Sequence, residues 1–175
     1  MDKFNPVICR EGIDYARTIA FATETSIEAD PYARLSEVYW TIMRALRYGN
    51  VIRYENEHGM IVGMCCYTVG TIDAEFEDRH VVHVMYGLLA QSLQGSVYFM
   101  KGMHFLAHTI RSLHPEVELL QIEAYDTAKR NNRLYSKFAR ITGHIQSGQH
   151  VRNVYTTTVT QFSDYVEYLI ENKKQ

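Results

Sequence analysis

The stretch from residue 117 to 135, VELLQIEAYDTAKRNNRLY, leaves little freedom in how the chain around it folds. Val117, Leu119 and Gln121 alternate with Leu120, Ile122 and Ala124, which is the two-residue period of a strand. Pro115 bounds the run on one side, and Asp126 and Thr127 bound it on the other. A polar turn with two asparagines follows, Asn131 and Asn132, and then a helix that delivers Tyr135. A phenol is thereby placed just beyond the end of a buried strand.

The rest of the chain reads as a sequence of ordinary elements. Residues 5 to 10 form a first edge strand, and residues 12 to 25 carry Ile13, Ala16, Ile19, Ala20 and Phe21 at helical spacing. Asp30 or Pro31 opens a second helix through Leu46, with Leu35, Val38, Tyr39, Ile42 and Met43 on one stripe. VIRYENEHGMIVGMCCYTVG is a hairpin that turns at His58 and Gly59. Near the C-terminus, ITGHIQSGQHVRNVYTTTVTQ gives two strands about a Ser-Gly turn, and Ser163 starts a short helix over residues 163 to 172.

Residues 73 to 114 allow two parses. In one, VVHVMYGLLA (81 to 90) is a central strand, QSLQGS (91 to 96) a turn, and 97 to 113 a helix. In the other, Val81, Val82, Met85, Leu88 and Leu89 form the stripe of an amphipathic helix over 74 to 93, capped by Asp73, and VYFMK (97 to 101) is the strand. Periodicity alone does not separate them.

The chain has 175 residues, 46% of them hydrophobic, enough for one sizeable core, and no Pro/Gly/Ser-rich linker divides it. A single domain over residues 1 to 175 is expected. A net charge of −2, with Lys and Arg scattered among Asp and Glu, leaves no electrostatic footprint for nucleic acid. No basic leader precedes an apolar run at the N-terminus, and no run of about 18 apolar residues occurs, so a soluble, cytoplasmic protein without a membrane span is expected. Cys9, Cys65 and Cys66 lack metal spacing, and Cys65 and Cys66 read as reduced core residues.

The strand, the turn and the helix reading LYSKFAR resemble the second half of the acyl-CoA site in the GNAT acyltransferases, whose helix carries LY-x-K-x-G. The order of one strand, two helices and a hairpin before that site is similar to the family's as well. The resemblance implies a mixed-sheet α/β domain in three α/β/α layers. It also implies acetyl-CoA as acyl donor, and a small-molecule or peptide amine as acceptor by direct transfer. Tyr135 would protonate the leaving thiolate, a step within reach of a phenol acting as general acid. Asn131 or Asn132 would contact the pantetheine arm, although Ala128 stands at the family's usual Asn position. Ala139 and Arg140 likewise replace the usual Gly-Phe.

The pyrophosphate of acyl-CoA binds backbone amides at a helix start, where unpaired N–H groups and the helix dipole favour an anion. The family signature is Q/R-x-x-G-x-G/A, and two segments approach it. QSLQGS offers Gln91, Gly95 and Ser96, with Gln94 at the first glycine position. FMKGMH offers Lys101 and Gly102, with Phe99 and His104 at the other signature positions. Glu123 and Asp126 near the end of the strand, and His83 in the disputed region, are candidate bases by location, and Glu123 is taken with Tyr135 as the catalytic set.

His104 and His108 lie one helical turn apart, but no Glu completes HExxH and no third ligand is near, so no metal is expected. The acidic stretch DAEFEDR (73 to 79) solvates a connector or a helix start, and beside an acceptor cleft it would attract a cationic amine. The alternative to an enzyme is a GNAT-like binding or structural protein with an eroded cofactor loop, of the kind that bacteriophages encode and that associates with virions. Thirteen tyrosines and an apolar terminal helix would suit its interface, in a homodimer or a larger assembly.

Overall fold

The computed structural model describes residues 4–29, 35–94 and 96–172. The chain forms a mixed α/β structure with the element order β1 (Asn5–Ile8), α1 (Gly12–Ala29), α2 (Leu35–Tyr48), β2 (Gly49–Glu55), β3 (Ile61–Val69), β4 (Val81–Leu89), α3 (Val97–Leu113), β5 (Leu119–Tyr125), α4 (Lys129–Tyr135), β6 (Arg140–Ser147), β7 (His150–Thr158) and α5 (Val159–Asn172). The strands make one seven-stranded mixed sheet in the order β1-β2-β3-β4-β5-β7-β6. Two compact units are distinguished. One comprises Met1–Thr68 with Met85–Phe105, the other Val69–Val84 with Leu106–Gln175, so β4 and α3 each contribute to both.

In the first unit, β1 and β3 pair antiparallel with β2. The β2–β3 turn is held by Asn56, whose Oδ1 accepts the N–H groups of His58 and Met60 at 3.0 Å each, and Gly59 supplies the positive φ of 71° that the turn requires. Ala22 of α1, Val38, Ile42 and Ala45 of α2, and Val51, Met64 and Cys66 of the sheet form one buried cluster. On β3 every residue from Gly63 to Val69 is buried, and Cys65 and Cys66 are free thiols within it. Arg53 is also buried, at 7% exposure. Its Nη1 pairs with Asp14 and its Nε with Glu55 at 2.9 Å, and Glu55 is shared with Arg17 at 3.2 Å. The predicted opening of α2 at Asp30 or Pro31 falls outside the described residues.

Val81–Leu89 is a strand and Val97–Leu113 a helix, so the first parse of the disputed region holds and the helix over 74 to 93 does not form. Val81, Val82, His83 and Val84 are all buried. A strand covered on both faces loses its polar alternation, which is why its apolar positions also fit a helical stripe. Residues 73 to 79 are a turn-rich connector, in which Asp78 accepts hydrogen bonds from the Thr71 N–H at 2.6 Å and the Thr71 hydroxyl at 2.8 Å. Gly70 cannot be replaced cheaply there: its φ is 89°, and an added Cβ would stand 2.6 Å from the Phe76 backbone.

In the second unit, β4 and β5 pair parallel from Val81↔Leu119 to Val84↔Ile122, and β7 pairs antiparallel with both β5 and β6. Helix α4 packs on β5, and α5 packs on β5 and β7. The terminal helix begins at Val159, four residues before the expected Ser163. Thr158 is its cap, with Oγ1 accepting the Gln161 N–H at 3.1 Å, and Ser163 is buried inside the helix.

Candidate active site

Alternation along β5 sorts the second unit's functional side chains onto two faces. Ile122 and Ala124 point to one face, where they pack with Tyr135, Phe138, Ala139 and Tyr155. The Tyr135 ring, on the last residue of α4, meets Tyr155 edge-on at 5.6 Å and Phe138 at 6.0 Å between centroids, and is partly exposed. Gln121 and Glu123 point to the other face, together with His83, whose register partner is Gln121.

On that second face β4, β5 and β7 bring three polar side chains together. His83 Nε2 lies 2.9 Å from Glu123 Oε1, and Arg152 Nη1 lies 2.7 Å from Glu123 Oε2. The His83 contact is close, but its N–H is not well aligned on the carboxylate. His83 is 7% exposed, and its Nδ1 has no hydrogen-bond partner among the described residues. Burial pushes the Glu123 carboxyl up, but the His83 contact and the charges of His83 and Arg152 outweigh it and hold the group below the ordinary carboxylate range. Asp126 is exposed, and its Oδ1 accepts the Thr127 N–H at 2.8 Å.

The depressed Glu123 value carries a sign for stability. Such a group stabilises the fold above its unfolded value, and that contribution is lost as pH falls through the folded value, which lies below the ordinary carboxylate range. Urea midpoints measured against pH should therefore drop more steeply in acid for the wild type than for Glu123→Gln. Identical acid limbs would mean that the cluster adds nothing to stability.

Asn132 is engaged entirely by the protein. Its Nδ2 donates to the carbonyls of Tyr125 at 2.7 Å, Ala128 at 2.9 Å and Asp126 at 3.3 Å. Its Oδ1 accepts from the Tyr155 hydroxyl at 2.7 Å and from Asn153 Nδ2 at 2.9 Å. The side chain ties the start of α4 to β5 and β7, and a pantetheine contact would have to break these bonds. Of the two asparagines only Asn131, which is exposed, remains for that task.

In the first unit, QSLQGS lies where the family resemblance puts the pyrophosphate turn, between β4 and α3. A single 3-10 turn, Gln91–Leu93, follows the strand, and Gln91 is exposed. The N–H groups of Leu93, Gln94 and Ser96 donate to the carbonyls of Ala90 at 2.9 Å, Gln91 at 3.2 Å and Leu93 at 3.2 Å. Ser96 Oγ caps α3 by accepting the Tyr98 N–H at 3.2 Å. Gly95 lies outside the described residues. The second segment, FMKGMH, is not a helix start, because α3 has already begun at Val97. Gly102 sits inside that helix and its carbonyl accepts the Tyr54 hydroxyl at 3.2 Å, while Lys101 Nζ stands over the Tyr98 ring at 5.4 Å.

His104 and His108 are both exposed on α3. Among the described residues no three His, Cys, Asp or Glu side chains gather in a metal-binding arrangement, and no helix is long and apolar enough to cross a membrane. Sequence reasoning named Glu123 and His83 singly and missed both their pairing and Arg152. No local signal carries that pairing, because it depends on the parallel register of β4 on β5.

No protein-family model and no curated protein matches the sequence. Solved structures do match the fold. A GNAT-family acetyltransferase from Staphylococcus aureus Mu50 superimposes with a TM-score of 0.67 at 12% identity, over 90% of this chain and 99% of that one. One from Listeria monocytogenes 4b F2365 gives 0.66 at 12% identity, over 89% and 94%. The spermidine N-acetyltransferase from Vibrio cholerae, solved with CoA and spermine, gives 0.64 at 10% identity, over 91% and 97%. With strand order, helix order and these superpositions in agreement, the chain has the fold of the GNAT acetyltransferases.

Proposed function

We propose that the protein is an acetyl-CoA-dependent N-acetyltransferase that acylates an amine by direct transfer. The observation that carries this reading is the division of β5 into two chemically distinct faces, with the Tyr135 phenol against one and the His83–Glu123–Arg152 cluster on the other. Direct transfer uses two separate groups, since the leaving sulfur takes up a proton while the attacking nitrogen gives one up. The β4–β5 ladder ends at Val84, and Met85 and Tyr86 beyond it pack against the cluster that α1 and α2 help to build.

Acetyl-CoA supplies an activated acetyl thioester. Tyr135 is assigned the proton that the leaving sulfur takes up, and the turn around Gln91, Gly95 and Ser96, with the start of α3, is assigned the pyrophosphate. The fit there carries a cost. Freeing the Gln94 and Ser96 amides from their 3.2 Å bonds takes about 1–2 kcal/mol, roughly a 5- to 30-fold loss of affinity. Those same bonds favour a second reading, a GNAT-fold binding protein that no longer takes up acyl-CoA. The acceptor is an amine by analogy with the spermidine enzyme, whose fold this chain shares.

Calorimetric titration separates the two readings. Acetyl-CoA should bind the wild type and Tyr135→Phe with the same affinity, and thiol release with a panel of primary amines should fall about 100-fold in the variant. Absence of binding at millimolar acetyl-CoA would overturn the enzyme reading in favour of the second.

A further inference from the structure

We propose that His83 Nδ1 is the proton acceptor for the incoming amine, with Glu123 and Arg152 as the residues that position it. The inference rests on the acetyltransferase reading and assigns the base that the reading leaves open.

A buried polar atom without a partner is costly, about 1–3 kcal/mol, and so calls for an explanation. His83 presents such an atom: the residue is 7% exposed, and Nδ1 has no hydrogen-bond partner among the described residues. The other ring nitrogen also lacks an aligned hydrogen bond, but it has a charged neighbour, with Nε2 2.9 Å from Glu123 Oε1. A carboxylate at one nitrogen selects the tautomer that carries its proton there, which leaves the lone pair on the other. In His83 that lone pair is on Nδ1.

Glu123 is poorly suited to take the proton itself. One of its oxygens faces His83 and the other faces Arg152 at 2.7 Å, so neither is left for an amine. Its depressed proton affinity points the same way. A carboxylate fixed between an imidazole and a guanidinium instead orients the ring and stabilises the imidazolium that forms, the role an aspartate plays behind a catalytic histidine. Arg152 is 36% exposed at its side chain and can hold Glu123 while keeping part of its hydration. Imperfect alignment of the His83–Glu123 contact is common before substrate binds.

The step balances without a further reactant. The amine nitrogen bonds to the thioester carbonyl carbon as the carbon–sulfur bond breaks. The nitrogen's proton passes to His83 Nδ1, and the sulfur receives the Tyr135 hydroxyl proton. His83 then releases its proton to water, and Tyr135 regains one. Since Tyr135 and His83 lie on opposite faces of the sheet, acid and base do not exchange protons directly.

Two measurements test the assignment. Histidine nitrogen NMR of the ligand-free wild type, assigned by comparison with His83→Gln, should show neutral His83 protonated on Nε2; the reverse tautomer would overturn the inference without reference to activity. For kinetics, the probes are acetyl-CoA and the primary amine that gives thiol release. His83→Gln should lower kcat/KM at least about 100-fold, with acetyl-CoA affinity unchanged. Glu123→Gln should lower kcat while leaving the KM for acetyl-CoA in place, and it serves alone if His83→Gln does not fold. A His83→Gln enzyme that keeps its rate overturns the inference but not the acetyltransferase reading. A wild type that does not bind acetyl-CoA overturns both.

Discussion

Asn132→Ala should destabilise the protein by about 3 kcal/mol, measured by urea unfolding followed by circular dichroism. The amide has five partners: the two Nδ2 hydrogens are shared among three carbonyls, that of Asp126 the most distant at 3.3 Å, and Oδ1 accepts two bonds. Each is worth on the order of 1 kcal/mol net, and water can replace some of them because the site is only partly buried. The Tyr155 hydroxyl is the exception, since that residue is 2% exposed and its oxygen is left facing a void. Asn132→Asp separates geometry from charge. It keeps an acceptor for Tyr155 and Asn153 but turns a carboxylate oxygen toward three carbonyls, so it should be as damaging as Ala at pH 7 and partly recover in acid, where the carboxyl can donate. A loss under 1 kcal/mol in the Ala variant would show that the clamp is redundant.

Arg53→Met should cost a similar amount, about 3 kcal/mol, and the loss should come from the partners it strands. Burial works against the Arg53 charge, but Glu55, Cys9 and Asp14 more than reverse that and raise its proton affinity. Methionine fills much of the volume but leaves Asp14 without its cation and Glu55 with Arg17 alone at 3.2 Å. Adding Glu55→Gln to Arg53→Met should therefore restore part of the loss, a sign that neither substitution alone reveals. If the double variant is less stable than Arg53→Met, the network contributes packing rather than charge balance.

The parts of this fold that were legible in the sequence are those whose signal is local. The strand and helix on either side of Asp126 were readable because β5 alternates and α4 follows a polar turn. The hairpin at Gly59 announced itself by its turn residues. Where the signal failed, a particular physical cause can be named. Val81 to Val84 are covered on both faces, so the strand lost the alternation that would have separated it from a helix. The start of α5 was hidden because Thr156, Thr157 and Thr158 look like a pleated surface, and only the third of them is a cap.

The site was legible as a set of residues but not as an arrangement. Both asparagines after β5 stood out, yet the role of Asn132 is decided by Asn153 and Tyr155, more than twenty positions further on. Glu123 was visible as a carboxylate near a strand end, where most carboxylates are simply solvated. Only the register that sets His83 beside it turns it into part of a cluster, and register in a parallel pair has no signature in either strand alone.

The paired thiols of β3 give the molecule an internal gauge of its own opening. Burial pushes the Cys65 thiol up to about 12 and the Cys66 thiol well above its ordinary value, so in the closed state neither offers a thiolate to an alkylating reagent. Maleimide or iodoacetamide can modify them only after β3 has parted from its neighbours, and the labelling rate then counts how often that strand is exposed.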